Sequence, residues 1–583
     1  MAELEFSRIE YFLNYTRTNI TDLSTRLDSL EHELNQSFLV IMAIIIMLMQ
    51  CGFAFIEASC VRCKNAGNAL LKNVLDMAVT VIAYWTCGFA LAFGKGNSFI
   101  GWHAYWASSD LEGDYMAFFF FEFVFAATSA TLVSGALSER CDFIAYFIYS
   151  FLITAFIYPP VTHWAWSDEG WLKLGSVYEI NGVQERVGFH DFSGSGAVHL
   201  VGGTAALLGA IILGPRIGRF HPETGADMNL KGHSVPFAAL GAFLLIVGFL
   251  AFNGASQLTM TKPGDNVIIA LSITNTIIAG SMSGFSSVVI RRLFRRNWSV
   301  LYTVNGCVSG MVAICGGCDL FRPWGACLVG MVAGVCFNIT SWGVAKLKID
   351  DPVDAVAVHF SGGVWGVIAV SLLGYPNGIL IAWDKRSGLM LAWQLVGLCA
   401  IMLWTATLSA IMFGSMKGLG MFRVSEEVER KGLDLPIHGE HAYPPEAYEP
   451  SSSLESILRI LENGNLTPAQ MGFLIKEGKD PGMYDTPDLK MARLPIRRSR
   501  GISQTSSEME IVVKQKEGIG RVRKLSFVPS EMEIVVKPSS ERHSRVSSVH
   551  SKVNEALEEE PETNHNDRLD TLQRRKCSHS INL

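Results

Sequence analysis

Eleven apolar blocks of about twenty residues constrain the fold of this chain more than any other feature. A helix needs about 20 apolar residues to cross the hydrocarbon core of a bilayer. Because 49% of the 583 residues are hydrophobic and only 17% are charged, a soluble fold is excluded. The sequence predicts an all-α polytopic membrane protein whose eleven transmembrane helices lie at 38–58, 74–94, 115–137, 143–162, 194–214, 235–253, 267–290, 299–316, 324–345, 354–375 and 390–415.

Sequons and loop charges predict how the chain is oriented. The first 37 residues are polar and precede the first apolar block, so no cleavable signal peptide is expected. With the N-terminus outside, the inner loops hold thirteen Lys and Arg, counting Lys72, against seven in the outer loops, as the positive-inside rule requires. An odd number of spans then places the C-terminus in the cytoplasm, in a multi-pass protein of the plasma membrane. Three sequons mark glycosylation candidates at Asn14, Asn19 and Asn35.

Composition divides the chain into four segments. We expect an extracellular segment at 1–37, a helical membrane domain at 38–417, a cytosolic segment at 418–445 and a disordered cytosolic tail at 446–583. The tail repeats SEMEIVVK at 507–514 and 530–537, which indicates either a short strand or partner-binding peptide, or a local duplication. Three Arg-flanked serines in the tail are candidate kinase sites: Ser499, Ser526 and Ser578.

No pattern indicates an enzyme, a cofactor or a nucleic-acid partner. The pairs Cys60–Cys63 and Cys315–Cys318 have metal-ligand spacing, but neither has a second pair or a histidine nearby in the sequence. Cysteine is also a common small residue in membrane helices. We therefore predict no metal site.

Two histidines interrupt apolar blocks in similar surroundings. His199 lies in GSGAVHLVGG and His359 in VAVHFSGG, each eight residues after an aspartate, Asp191 or Asp351. Acidic residues favour helix starts. Eight helical residues rise about 12 Å, which predicts both histidines near the midplane of the bilayer. The histidines fall in spans five and ten, so their helices enter from opposite faces, as in an inverted repeat of five plus five helices with one extra helix.

The paired placement favours a functional role for the histidines. The alternative is that each one only bonds a neighbouring carbonyl, but buried ionisable groups in membrane spans usually mark a pathway. Two adjacent imidazoles can share one proton, with one ring donating and the other accepting. Such a pair would admit a proton or a small neutral molecule with a lone pair and repel a bare cation.

The motifs around these residues resemble those of the ammonium transporter family (Amt/Mep/Rh), over nearly all of residues 38–443. The likeness is to its Amt branch and to an animal, invertebrate member. It implies a homotrimer whose subunits each hold a narrow hydrophobic pore that recruits ammonium, deprotonates it and conducts ammonia past a twin-histidine pair. The motifs are MQCGFAFIEASCVRCKN, GALSERCDF, HWAW, DFSGSGAVHLVGG, FLAFNGAS and DDPVDAVAVHFSGGVWG.

The resemblance also assigns roles to individual residues. Trp166 would hold the cation at an outer vestibule by cation–π attraction, and Ser256 would accept a hydrogen bond from it. Phe125 and Phe252 would form an aromatic gate with Phe121 beside them. Asp191 and Asp351 would give electrostatic and structural support, and His199 and His359 would line the pore. The partners are ammonium or ammonia, including methylammonium, the bilayer, further copies of the chain, and kinases or cytosolic proteins on the tail.

Four residues depart from the family pattern. Phe249 replaces a tryptophan in the gate helix, which would remove an indole donor from the vestibule. Phe360 follows the second histidine, where it would narrow the pore or face lipid. Glu122 would attract cations if it faces the vestibule, or would make a hydrogen bond in helix packing. The segment at 418–445 resembles a regulatory region that docks under a neighbouring subunit, and Pro436 replaces a threonine that some plant members phosphorylate.

Two other functions are weighed against ammonium transport. One is a Rh-like channel for neutral NH₃ or CO₂, against which Trp166 and Ser256 argue. The other is an ammonium sensor that signals through its tail.

Overall fold

The computed structural model describes residues 2–228, 230–444, 507–511 and 523–527. The chain divides into two units, Met1–Asn463 and Gly464–Leu583. The helices of the first unit are α1 Ala2–Ile46, α2 Leu48–Cys60, α3 Ala66–Ala83, α4 Phe89–Phe93, α5 Asp114–Leu137, α6 Phe143–Leu152, α7 Tyr158–Trp166, α8 Trp171–Leu174, α9 Val201–Leu213, α10 Val235–Ala255, α11 Asp265–Arg295, α12 Val300–Ile314, α13 Pro323–Lys346, α14 Ser361–Leu373, α15 Ile379–Ala382, α16 Lys385–Gly418 and α17 Glu426–Lys431.

Short 3₁₀ turns, wide helical turns and strands complete the first unit. The 3₁₀ turns are Cys63–Asn65 and Trp106–Ser108. Two antiparallel hairpins occur in loops, β1 Lys95–Gly96 with β2 Gly101–His103, and β3 Ser176–Ile180 with β4 Val183–Val187. Five π-helical turns lie at Tyr84–Gly88, Ile153–Ile157, Ser195–Leu200, Val356–Phe360 and Asp434–His438, the last of which contains Pro436.

The membrane spans follow the predicted apolar blocks closely. Within the described part of the chain, ten helices are long and apolar enough to cross a membrane. The shorter apolar helix α12, Val300–Ile314, lies where the sequence predicts the eighth of eleven spans. The prediction places Lys72 in a loop and is wrong there, because Lys72 lies inside α3 and is buried.

The polar N-terminal segment is part of the first span rather than separate from it. Helix α1 runs without a break from Ala2 to Ile46 and so joins residues 2–37 directly to the membrane domain. Asn14 and Asn19 are exposed on it. Asn35 is engaged: its Nδ2, the atom to which a glycan would be attached, donates to Thr261 Oγ1 at 2.9 Å. This contact argues against glycosylation at Asn35.

The two histidine helices begin with π turns and cross at matched glycines. His199 lies in the turn Ser195–Leu200 and His359 in Val356–Phe360, so each helix begins later than its aspartate. The predicted depth of about 12 Å counted helix from the aspartate, and it stays a prediction. A Cβ on Gly203 would lie 2.3 Å from the Phe360 backbone nitrogen, and one on Gly363 would lie 2.7 Å from the Ser195 carbonyl oxygen. Only glycine permits this close approach of the two backbones.

The remaining helix and the C-terminal segment pack onto this core. Helix α16 contacts both α9 and α14, as expected of one helix left over after two five-helix halves. The segment after α16 contacts loops of its own chain: Asp434 accepts from the backbone nitrogens of Gly67 (3.1 Å) and Asn68 (2.8 Å). Arg423 donates to the carbonyl oxygen of Leu213 at 3.0 Å. Docking under a neighbouring subunit stays a prediction.

The second unit contains one described hairpin. Strands β5 Ser507–Ile511 and β6 Arg523–Phe527 pair antiparallel. The first five residues of the first SEMEIVVK copy thus form a strand, whose described partner is β6. The second copy lies outside the described residues, as do Ser499 and Ser578.

Candidate functional site

A continuous row of aromatic rings connects one end of the bundle with the paired histidines. It begins at Trp166 and proceeds through Phe125 and Phe252 to His199 and His359. Successive ring centroids are 5.8, 3.9, 5.7 and 5.3 Å apart. The structure thus brings together five residues that are up to 234 positions apart in the sequence. We call the side on which the row begins the Trp166 end.

At the Trp166 end, two backbone carbonyls orient the polar side chains. The Trp166 indole nitrogen donates to the Asp191 carbonyl oxygen at 2.6 Å, which fixes the ring plane. The Ser256 hydroxyl donates to the Phe252 carbonyl oxygen at 2.9 Å. Since this bond uses the only hydrogen of the hydroxyl, the Ser256 oxygen can act only as an acceptor toward another group. That role suits a cation with N–H donors.

Two phenylalanines close the row below Trp166. The rings of Phe125 and Phe252 are stacked with centroids 3.9 Å apart and planes inclined by 22°. At this distance the ring faces are in van der Waals contact, so no hydrated ion fits between them. Phe121 packs against Phe125 with centroids 4.9 Å apart, and all three rings are buried.

The two paired histidines have ring nitrogens that make no hydrogen bond to the described residues. Their rings are inclined by only 17° with centroids 5.3 Å apart. Neither nitrogen of His199 nor Nδ1 of His359 has a hydrogen-bond partner in the described part of the chain. Bonding to a neighbouring carbonyl is therefore wrong for His199, and the predicted hydrogen bond between the two rings is absent in this geometry. Burying a polar nitrogen without a hydrogen-bond partner costs free energy, so this pair is not explained by packing alone.

His163 shows what a purely structural histidine looks like in the same bundle. It is buried in α7, and both of its ring nitrogens lie 2.7 Å from carbonyl oxygens, those of Ala92 and Asn97. The contrast with the unpartnered pair supports a role for His199 and His359 other than packing.

Beyond His359 the row opens into a cavity of about 40 Å³. Apolar groups such as Phe53 and Val358 line it together with His359 and the polar side chains of Glu57, Thr131 and Asn305. The Phe53 ring lies 6.2 Å from that of His359. A cavity of this size can hold one or two small molecules, and most of its wall is apolar. His359 thus belongs both to the row of rings and to the wall of this cavity.

Glu57 belongs to a buried polar network that the sequence reasoning missed. Its Oε2 accepts from Asn73 Nδ2 (2.9 Å) and Ser134 Oγ (2.6 Å), and its Oε1 accepts from Ser138 Oγ (2.7 Å). Thr131 in turn lies 2.5 Å from a carboxylate oxygen of Asp76. Glu57 and Asp76 both lie in predicted membrane spans. An acidic residue within an apolar block is a sequence feature from which this network could have been predicted.

The departures from the family pattern lie in three different settings. Phe249 packs against His199 with ring centroids 5.5 Å apart, so the prediction that it alters the vestibule is wrong. Phe360 is partly buried at the crossing with Gly203. Glu122 is 4% exposed, and its Oε2 has no hydrogen-bond partner within the described ranges. The expected helix-packing hydrogen bond is therefore not formed by that oxygen.

Asp191 and Asp351 cap the two histidine helices in the same way. Asp191 Oδ2 accepts from the backbone nitrogens of Gly196 and Ala197 at 2.9 and 2.8 Å, and Asp351 Oδ2 accepts from that of Val356 at 2.7 Å. Each cap satisfies amides that have no partner at a helix start. Burial raises the pKa of Asp191. Burial and the neighbouring Asp354 carboxylate raise the pKa of Asp351 to about 7.

The end of the bundle opposite Trp166 is held by charges. Asp350, next to the Asp351 cap, receives Arg216 Nε at 2.7 Å, and Arg216 also reaches Glu139 at 3.1 Å. Although burial opposes the charged form, Arg140 and Arg216 hold the pKa of Asp350 well below its usual range. Among the described residues, no group of three or more His, Cys, Asp and Glu side chains is placed to hold a metal ion.

Comparison with known proteins places this geometry in a family. A model described as Ammonium Transporter Family matches residues 37–443. The chain is 42% identical over 459 residues to "Putative ammonium transporter 1" of Caenorhabditis elegans, covering 74% of this chain and 85% of that protein. It is 37% identical over 442 residues to "Ammonium transporter 1 member 3" of Solanum lycopersicum, covering 71% and 94%.

Solved structures of similar fold agree with these matches. One titled "Sensor Amt Protein" aligns with a TM-score of 0.64 at 32% identity, over 70% of this chain and 100% of that one. Saccharomyces cerevisiae Mep2 aligns with a TM-score of 0.59 at 26% identity, over 68% of this chain and 88% of that one.

Proposed function

The chain belongs to the ammonium transporter family, whose members are transporters or channels and not enzymes, and we propose that it recruits NH₄⁺ at Trp166, deprotonates it at the phenylalanine gate and conducts NH₃ past His199 and His359. The single observation that carries this proposal is the unbroken row of rings from Trp166 to His359. Ammonium transport itself follows from the family.

Recruitment rests on the chemistry of the Trp166 end. An indole face attracts a cation by about 1–2 kcal/mol when the site is partly desolvated. The Ser256 oxygen adds an acceptor for one N–H of the ion. Potassium has a similar size but no hydrogen to donate, so the serine favours ammonium.

Deprotonation rests on the cost of passing the gate. Taking a small cation out of water into an apolar constriction costs many kcal/mol, whereas ammonia is neutral. The stacked Phe125 and Phe252 exclude the hydrated ion, and the open nitrogens of the histidines then offer hydrogen bonds to a neutral molecule with one lone pair. The proton released from NH₄⁺ either goes to water at the Trp166 end or crosses with ammonia, and the recording below separates these two outcomes. Selectivity against potassium follows because potassium has no proton to lose.

Orientation and assembly belong to the same proposal. We place the Trp166 end outside the cell and the Arg216 and Asp350 end in the cytoplasm of a homotrimer in the plasma membrane. The sequons at Asn14 and Asn19 and the basic inner loops support this orientation. Residues 38–417 form the transport domain, 418–445 the cytosolic segment and 446–583 the tail.

Voltage-clamp recording in expressing oocytes tests the proposal. Ammonium and methylammonium are compared with potassium, for the wild type and for His199→Ala and His359→Ala. We expect ammonium-dependent transport in the wild type and either lost flux or lost discrimination against potassium in both variants. Faster surface pH change without current would mean that the proton does not cross with ammonia. Selective uptake in both variants would refute the pathway.

A further inference from the structure

The outermost part of α1 carries an apolar stripe with the spacing of a coiled coil. From Phe6 to Leu34 the positions alternate at intervals of three and four residues, which is the heptad spacing of positions a and d. They are Phe6, Ile9, Leu13, Thr16, Ile20, Leu23, Leu27, Leu30 and Leu34. Eight of the nine are apolar, and four heptads without a break make a chance pattern improbable.

Within the residues that the structure describes, nothing covers the stripe. Ile20 is 63% exposed, Leu23 is 59% exposed and Leu27 is 50% exposed. Single exposed apolar residues are ordinary on a protein surface, but a row of eight along one helix is a large apolar patch and marks an interaction surface. The stripe lies on a continuous helix, so it extends for about 42 Å from Phe6 to Leu34.

This stripe lies outside the part of the chain that the family model matches. That match begins at residue 37, three residues after Leu34. The exposed helix is therefore an addition to the transport domain. Its base is fixed, because Asn35 bonds both Thr261 Oγ1 at 2.9 Å and the Met260 backbone nitrogen at 2.8 Å.

We propose that residues 4–34 of three copies of this chain wind into a parallel coiled coil above the membrane domain. The proposal rests on the homotrimer proposed above for the number of strands. The parallel arrangement follows from the membrane, because every copy inserts in the same direction and α1 continues into the bilayer without a break.

Charge supports a parallel pairing between identical helices. In a parallel coiled coil a residue at position g faces the residue five places further on at position e of the neighbour. Arg26 at g would face Glu31 at e of the next copy, which is an attractive pair. Glu5 and Glu10 would repel each other near the free end, where fraying costs least. Asn14 lies at position b, so a glycan on it would project away from the axis.

Cysteine reporters in the full-length protein test the arrangement in native membranes. Leu23→Cys places a thiol at a d position on the axis, and Thr25→Cys places one at an f position on the opposite face of the same turn. A disulfide requires the two Cα atoms to be within about 7 Å, which only the axial position satisfies in a parallel coil. We expect Leu23→Cys to form disulfide-linked dimers at least about tenfold faster than Thr25→Cys, above the background of the wild type, because one added thiol per chain can join only two copies.

A charge-matched pair of double variants then tests the cause. Ile20→Asp with Leu27→Asp puts two charges on the stripe, and Thr18→Asp with Thr25→Asp puts two on the outer face. The first pair should abolish the cross-linking of Leu23→Cys and the second should leave it unchanged. Equal rates for the two reporters, or no effect of the stripe charges, would overturn the coiled coil. Adducts with a different protein would do the same.

Light scattering of the purified protein separates this inference from the proposed trimer. A trimer without cross-linking at Leu23→Cys would overturn the coiled coil alone. A monomer without cross-linking would overturn both. A dimer that cross-links at Leu23→Cys would overturn the three-stranded assembly.

Discussion

The two histidine helices share one plan, but their surroundings differ. Each begins with a π turn, is capped by an aspartate, and meets the other at a glycine four residues after its histidine. His199 is packed between Phe249, Phe252 and the ring of His359. His359 instead faces a cavity with Glu57, Thr131 and Asn305 in its walls. A symmetric scaffold thus has closely packed aromatic rings on one side of the pair and, on the other, a mostly apolar cavity with three further polar side chains in its wall.

The difference teaches that the pair stands at a boundary rather than in the middle of a uniform tube. Under the proposed function, a cation would have to lose its water and its charge on the Trp166 side. On the other side, a molecule that passed His359 would enter a mostly apolar cavity with a few polar side chains in its wall. Substitutions on the two sides of the pair should therefore change different properties of transport, and by different amounts.

The largest loss of stability is expected from substitutions where the two histidine helices cross. Gly203→Ala and Gly363→Ala each drive a methyl group against backbone of the opposite helix, which cannot move as a side chain can. Overpacking of this kind costs about 1–3 kcal/mol or more. The amount of monodisperse protein after detergent extraction should fall for both, while Gly414→Ala, which has open space, should match the wild type. If one crossing variant extracts normally, the two helices are not equivalent there.

The second largest effects are expected for the two histidines, and His199→Ala and His359→Ala should differ because His199 lies among aromatic rings and His359 lines the cavity. His199→Ala opens a gap inside the aromatic packing, so we expect lost selectivity against potassium. His359→Ala enlarges the existing cavity and removes a polar contact, so we expect lower flux with selectivity retained better. Ammonium and potassium currents measured at matched surface expression check this. Identical profiles would remove the asymmetry between the two rings.

A substitution of Trp166 tests the aromatic side of the histidine pair alone. Trp166→Leu removes the cation–π attraction of about 1–2 kcal/mol, which corresponds to a roughly 5–30-fold rise in the half-saturating ammonium concentration. Maximal flux should change less. Trp102→Leu is a suitable control because Trp102 is 42% exposed and is not in the row of rings. An unchanged concentration dependence for Trp166→Leu would exclude recruitment at this residue.

A substitution of Glu57 tests the cavity side of the histidine pair alone. Glu57→Gln removes a negative charge from the wall of the cavity and exchanges one acceptor for a donor within its network. We expect lower maximal flux with little change in the half-saturating concentration, the reverse of Trp166→Leu. Thermal stability in detergent shows whether the fold is retained. A shift in half-saturation without loss of maximal flux would place Glu57 outside the exit route.

The caps should give the smallest effects. Asp191→Asn and Asp351→Asn each keep an acceptor oxygen at the helix start, and the charge that they remove when the carboxyl is ionised is worth about 0.3–1 kcal/mol. Because the pKa of Asp351 is raised to about 7, its native carboxyl holds a proton that the unfolded chain releases at lower pH. Stability of the wild type should therefore fall as pH rises toward 7, and Asp351→Asn should weaken that trend. Melting temperatures between pH 5 and 8 check this, and an unchanged slope would contradict it.

Local patterns were sufficient for the spans but not for the contacts between them. The block at 115–137 corresponds to α5, Asp114–Leu137, because twenty apolar residues in a row leave one solution in a bilayer. The prediction that Lys72 lies in a loop was wrong, because a local pattern does not show that a charged side chain can be buried among neighbouring helices. Phe249 failed as a vestibule residue because which face of α10 meets His199 depends on helix rotation.

The sequence by itself determined that this chain spans a membrane many times and belongs to a family of ammonium transporters, because run length and motif order are properties of the chain alone. It also singled out the two histidines. Only the tertiary structure decided that the His199 nitrogens are unpartnered, that the rings from Trp166 to His359 form one row, and that Glu57 enters the cavity. Those facts depend on distances between helices, which close packing sets and local sequence does not.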